Sequence, residues 1–241
     1  MKRSNIVLYD SGLCAERKPH VKDVVWFSAR IPSHGVALDC GSGHGYYLSS
    51  LACERIGLDI SARQLSKTRG VDGRIQLIRG DVEYLPFEAR SIDYVLAFGL
   101  LHHLPNQEKG LDEMRRVLKR SGYLFIMDSN LDGLGPVYPI WRLTIFGYNL
   151  RGRFAEGMYP KLCRLEQYLN QKGFSLEIGT EQSFLFSLSC LLDVYLSYVP
   201  FAIARALSPF KRILLEADHH ISKLLPYNRR LSIKVIAKLD N

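Results

Sequence analysis

Asp39, Asp59 and Asp81 each close or directly follow a short apolar run, and the first leads into Gly41-Ser42-Gly43-His44-Gly45. Glycines let backbone come within contact of a ligand where a Cβ would collide, so this turn can cradle a cofactor. A carboxylate at the end of the second run, Asp59, can accept from both hydroxyls of a ribose. Asp81, within Gly80-Asp81-Val82, can accept from an adenine amino group while Val82 packs on the ring. A fourth run, Ser91 to Phe98, delivers Gly99-Leu100-Leu101-His102-His103 to the same edge. The chemistry on offer is therefore adenosine binding, with two imidazoles available as general bases. The same residues also read more plainly as a tight strand-to-helix turn, a helix-capping acid, an exposed turn aspartate and loop histidines.

Strands and helices must alternate to bring these positions together. The spacing predicts strands at Val36 to Asp39, Arg55 to Asp59, Ile75 to Arg79, Ile92 to Phe98 and Tyr123 to Asp128, the pattern of βαβ units building a parallel sheet. Ser61 followed by Gln64 is a capping box that starts a helix. Leu111, Met114, Val117 and Leu118 form the apolar stripe of another, stopped by Ser121-Gly122. Beyond Asp128 the regularity breaks until a helix at Lys161 to Lys172, a strand at Phe174 to Ile178 and a last strand at Leu231 to Leu239. The last alternates apolar and polar residues, which predicts one exposed face.

From Val36 to Asp128 the chain resembles the class I S-adenosylmethionine-dependent methyltransferases. It is most similar to the group containing the ubiquinone and menaquinone biosynthesis C-methyltransferases and the sterol methyltransferases, with Leu85-Pro86-Phe87, Ser91-Ile92-Asp93 and Arg116-Val117-Leu118-Lys119 as further matches. The resemblance implies S-adenosylmethionine as cofactor. It implies that Asp39 organises the glycine turn near the methionine moiety, that Gly41 and Gly43 admit it, that Asp59 holds the ribose, and that Asp81 and Val82 hold adenine. Ser42, Gly45, Ile60 and Phe98 complete that set. It also implies a Rossmann-like α/β fold: a seven-stranded, mostly parallel sheet with helices on both faces, the last strand antiparallel, and a helical insertion between the last two strands. Methyl transfer from a sulfonium needs mainly alignment and exclusion of water. A base, here His102 or His103, matters only for an acceptor that must lose a proton.

Other chemistries fit less well. A nicotinamide dinucleotide site wants G-x-G-x-x-G, and Tyr46 stands where its last glycine belongs; Tyr168 and Lys172 have the Tyr-x-x-x-Lys spacing of short-chain dehydrogenases but fall too late in the chain. A base-amino methyltransferase carries an Asn or Asp-Pro-Pro-aromatic turn after the fourth strand, where this chain reads Ala97-Phe98-Gly99-Leu100. Cys40 reads as a small buried residue. His219-His220 are adjacent and point apart on a helix, so no metal site is expected.

The organisation predicted is an N-terminal helical cap (1–34), the cofactor-binding core (35–128), a lid segment with helix and sixth strand (129–183), an apolar helical insertion over the substrate pocket (184–228) and the final strand (229–241). Five scattered cysteines without a C-x-x-C pair argue against a disulfide framework and for a reducing, cytoplasmic setting. The start of the chain carries no long apolar run, so no secretion signal is expected. The net charge of +8 suits an anionic partner, and nucleic acid, acidic lipid and acidic metabolites all qualify. Phe184 to Leu207 has Asp193 and Arg205 as its only charges, and Ser189, Asp193 and Ser197 recur every four positions. This predicts an amphipathic hairpin that does not span a membrane. It either caps the pocket of a small apolar substrate or dips into an anionic membrane surface. The oligomeric state is left open.

Overall fold

Apolar runs of four to seven residues are too short for stable helices, and most of those between Val36 and Phe98 are buried on both faces, as interior strands of a parallel sheet must be. A computed structural model describes residues 21–139, 160–181, 213, 216–218 and 220–240. It has β1 (Val36–Cys40), β2 (Glu54–Asp59), β3 (Gln76–Arg79), β4 (Ile92–Phe98), β5 (Leu118–Ser129), β6 (Phe174–Glu181) and β7 (Ser232–Leu239) in one sheet of order β3-β2-β1-β4-β5-β7-β6. The first five strands pair in parallel. β7 runs antiparallel to both neighbours, β5 and β6. The expected seven-stranded sheet with an antiparallel last strand is therefore present. Strand order reverses at β1, which opens a crevice at the carboxyl ends of β1 and β4, where ligands bind in such sheets.

The helices are α1 (Val21–Ser28), α2 (Ala62–Val71), α3 (Gln107–Val117) and α4 (Leu162–Gln171). Ser61 caps α2 by accepting the Gln64 N–H at 3.3 Å, the contact its capping box predicts. On one face of the sheet Leu38, Val95, Ile126 and Val235 meet Leu111, Met114 and Val117 of α3 and Leu165 and Leu169 of α4. On the other, Leu96, Phe98, Phe125 and Ile236 meet Phe27 of α1. Each such side chain contributes about 1.5–3 kcal/mol on full burial, so both faces are firmly held.

Two expectations are corrected. α3 ends at Val117, not at Ser121-Gly122, because its last carbonyls accept from Arg90 and Ser91, while Leu118 is already extended and pairs with Ile92 at the start of β5. Nor is β7 half exposed: Lys234 is only 5% accessible and Ile236 is buried. Around Lys234 the polar face is covered by α1, whose Asp23 meets the Lys234 ammonium at 2.9 Å while Trp26 lies under the same group, and Lys238 farther along stays exposed. The alternation was real, but its lysine is paired inside rather than solvated.

Part of the expected lid (140–159), most of the apolar insertion including Phe184 to Leu207, and His219 lie outside the described residues, as does most of the N-terminal cap before Val21. Among the described residues no helix is long and apolar enough to cross a membrane.

Candidate functional site

The glycine turn leaves β1 and is pinned from three sides. The Leu58 carbonyl accepts from the amides of Gly41 and Ser42 at 2.7 and 3.0 Å. Asp59 Oδ2 accepts from the Gly43 amide at 3.0 Å, and Oδ1 from the Ser61 amide at 2.9 Å. Thr68 of α2 donates its hydroxyl to the Gly43 carbonyl at 2.6 Å. The glycines then differ in purpose. The space a side chain would need at Gly41 is filled by Leu100, and that at Gly45 by Thr68. Gly43 has a φ of +51°, and a side chain there would meet, among the described residues, nothing nearer than a backbone oxygen at 4.0 Å; at Gly99, after β4, no described residue lies within 4 Å of that position. Room for a ligand therefore lies beside Gly43 and Gly99, at the ends of the adjacent strands β1 and β4.

Two polar groups flank that room without a hydrogen-bond partner among the described residues. Asp39 is 2% accessible, and no described residue hydrogen-bonds its carboxylate. Burial, and then the nearby Asp59 carboxylate, holds its pKa well above the ordinary carboxylate range. The Ser42 hydroxyl is likewise buried, with no partner among the described residues. Burying a carboxylate without a donor is costly. A cationic or N–H-rich ligand at this turn would relieve the cost, and S-adenosylmethionine, with a sulfonium and an ammonium, fits.

The remaining expected residues surround the same edge. Asp59 is buried and already engaged with the turn. Asp81 caps the short turn Val82–Tyr84, accepting from the Glu83 amide at 3.0 Å. Val82 belongs to the core beside Gly110 of α3. The Ile60 carbonyl accepts from Arg79 at 3.1 Å. The Phe98 ring lies edge-on to Tyr47 at 4.7 Å and to Phe27 at 5.1 Å, closing the crevice from the α1 side. The Tyr47 hydroxyl is kept protonated far above its ordinary range by burial, then by Asp23 and Asp39. His44 stacks on Tyr46 and sits 3.2 Å from the Lys67 ammonium, at the rim of the turn.

His102 and His103 occupy a 3-10 turn after β4, their rings 3.9 Å apart. Asp128, at the end of β5, meets His102 Nδ1 through Oδ1 at 2.7 Å. The same carboxylate accepts backbone amides, from Ser129 at 2.7 Å and from His102 at 3.3 Å. The Asp128 side chain is 1% accessible and that of His102 17%. His103 differs: its Nδ1 is enclosed, and burial, then the adjacent His102 imidazole, pushes its pKa down to about 3. Asp128 and Thr68 were not singled out from sequence. Asp128 could have been, since it closes β5 as Asp39 and Asp59 close or nearly close their strands. Among the described residues no three histidine, cysteine or acidic side chains are grouped to hold a metal ion.

Residues 38–126 match the model of a methyltransferase domain family. The chain is 32% identical over 150 residues to a demethylmenaquinone methyltransferase of Staphylococcus carnosus, covering 58% of each chain. It is 32% identical over 128 residues to a ubiquinone/menaquinone biosynthesis C-methyltransferase of Rhizobium etli, covering 50% of this chain and 48% of that protein. The chain thus spans roughly half the length of the curated relatives it matches. Among solved structures, Haemonchus contortus phosphoethanolamine N-methyltransferase 2 with S-adenosyl-L-methionine superposes with a TM-score of 0.63 at 17% identity, over 98% of this chain and 56% of that one. The YcgJ protein of Bacillus subtilis gives 0.58 at 14% identity, over 92% and 100%. At such identities the likeness is one of fold. The sheet order, the glycine turn and the domain match agree: residues 38–126 form a methyltransferase domain of the class I, S-adenosylmethionine-dependent kind.

Proposed function

We propose that the chain transfers a methyl group from S-adenosylmethionine to carbon or oxygen of a small, apolar or lipid-like acceptor. The observation that carries the reading is Asp39: a buried carboxylate without a hydrogen bond among the described residues, beside an open glycine turn. Bound there, the cofactor supplies a methyl carbon already activated on a sulfonium. The protein's task is to hold and enclose it. Asp39 and Ser42 would meet its electropositive methionine end, Asp59 the ribose, Asp81 and Val82 the adenine, with Gly43 and Gly99 leaving room for the backbone to approach. Gly41, Gly45, Ile60 and Phe98 would shape the surrounding wall.

An apolar acceptor is supported by the quinone-biosynthesis relatives and by the sparsely charged stretch Phe184 to Leu207. The same stretch supports work at the cytoplasmic surface of an anionic membrane. Calorimetric titration with S-adenosylmethionine, its demethylated product and nicotinamide nucleotides tests the cofactor. Micromolar binding of the first two is expected, and tight nicotinamide binding would overturn the reading. Quinone precursors, sterols, lipids and small phenols, screened for consumption of labelled cofactor, then test the acceptor. Sedimentation with anionic liposomes at low and high salt tests the membrane: salt-sensitive binding weakened by Leu192→Asp supports it, and none at any salt makes the stretch an internal cap.

A further inference from the structure

We infer that His102, oriented by Asp128, removes a proton from the acceptor, which restricts the acceptor class to molecules whose attacking atom carries an ionisable hydrogen: a phenolic or enolic hydroxyl, or an acidic carbon. This rests on the methyltransferase reading above and names the chemistry of its second substrate.

The geometry begins with two strands. β4 and β5 are parallel neighbours, with Phe98 opposite Met127, so the residues just past their ends share the carboxyl edge. Asp128 closes β5 there, and the turn after β4 presents His102. The contact from Asp128 Oδ1 to Nδ1 is 2.7 Å, a charge-assisted length. A carboxylate that also accepts two backbone amides is placed as an acceptor, so the ring proton belongs on Nδ1 and the lone pair on Nε2. An almost inaccessible carboxylate behind a partly accessible imidazole is the arrangement that fixes tautomer and ring orientation and stabilises the imidazolium that forms.

Among the described residues, Asp128 from β5 and, on its own turn, His103 lie against His102. The two imidazoles are not equivalent. A base must be half-ready near the working pH, and the enclosed His103 stays neutral far into acid. His103 is the ring that keeps its neighbour's turn packed; His102 is the one that can exchange a proton with a bound molecule.

The step balances simply. The acceptor's X–H bond breaks, its proton passes to Nε2, and its electron pair stays on X. That pair forms the new bond to the methyl carbon as the pair of the carbon–sulfur bond leaves with sulfur. The imidazolium later returns its proton to water. An amine attacking through its free lone pair would draw no benefit from this arrangement.

Two measurements test it. In full-length protein labelled with nitrogen-15 on histidine, neutral His102 should show the Nδ1–H tautomer, and Asp128→Asn should shift that population toward Nε2–H. A predominantly Nε2–H His102 in the unaltered protein would overturn the assignment, with no substrate needed. With the screened acceptors, turnover should be confined to phenols, enols and acidic carbons. His102→Gln should lower kcat about 10²-fold. Asp128→Asn should lower it about tenfold or more, with KM little changed. Calorimetric affinity for S-adenosylmethionine should survive both changes. Turnover of amines alone, or unchanged kcat in both variants, refutes the inference while leaving cofactor binding intact; loss of cofactor binding in the unaltered protein refutes the underlying reading instead.

Discussion

Asp59 accepts the amide of Gly43 through one oxygen at 3.0 Å and that of Ser61 through the other at 2.9 Å, so one side chain joins the glycine turn to the first turn of α2. The residue suited to hold a ribose is also a brace for the turn beside it. Asp59→Ala should therefore weaken S-adenosylmethionine binding by roughly 1.5–3 kcal/mol and also lower the melting temperature of the ligand-free protein. Calorimetry and thermal melts separate the two effects. An unchanged melt would mean that the turn holds its shape without the carboxylate.

Asp39 should behave in the opposite sense. Its folded-state pKa lies above the unfolded value, so the folded state binds the proton more tightly, and stability falls as pH rises through the folded value. At neutral pH the buried carboxyl group is therefore a net cost to the fold. Asp39→Asn should raise the ligand-free melting temperature, by about 2–4 °C for each kcal/mol relieved, while weakening cofactor binding. A lower melt would contradict the cause given for its shift.

His103 gives a pH window. Its pKa falls from 6.5 unfolded to about 3 folded, so between those values the unfolded chain binds the extra proton. Stability is fully present above the unfolded value and is lost as pH drops toward 3, by a few kcal/mol in order of magnitude. Asp39 opposes this trend, so the comparison is between the unaltered protein and His103→Phe. Denaturant titration at pH 7 and pH 5 should show a smaller loss in the variant; equal losses would assign the acid sensitivity elsewhere.

The Asp23–Lys234 pair is mostly enclosed, with side-chain accessibilities of 18% and 6%. Removing Asp23 takes from the enclosed Lys234 ammonium the carboxylate it meets at 2.9 Å. Asp23→Ala should destabilise by about 3 kcal/mol, and adding Lys234→Met should recover most of the loss. A double variant no better than the single one would show that packing of α1, not charge, is what the pair supplies.

Most of the parallel half of the sheet was legible because its strands carry apolar runs that end at or beside acids and glycines. Val36, Ile92 and Phe98 bound their strands where expected, and Ser61 caps where its spacing placed it. What sequence could not supply was pairing across the fold. Lys234 looks solvent-facing in a strand of alternating residues, and only the arrival of Asp23 from α1 buries it. Asp128 reads as one more strand-ending acid until β4 sets His102 against it. Leu118 continues a helical stripe by type, but the amides of Arg90 and Ser91 take the helix's last carbonyls and release it into β5. Each failure is a contact between residues far apart in the chain, which periodicity does not encode.

The placement of β7 between β5 and β6 has a consequence for the order in which the molecule can be assembled. As the chain is synthesised, β6 emerges before the strand that links it to the sheet exists, and its edge hydrogen bonds have nowhere to go. The face that will hold Ile236 stays open over the same interval, and α1 lacks the lysine that Asp23 meets. Ser232–Leu239 thus acts as a keystone: its insertion docks β6, seals that face and locks α1 in one event. A ribosome-stalled chain ending just before Ser232 should remain protease-sensitive at Phe174–Glu181 as well as at α1, whereas one extended past Leu239 and clear of the exit tunnel should be protected at both.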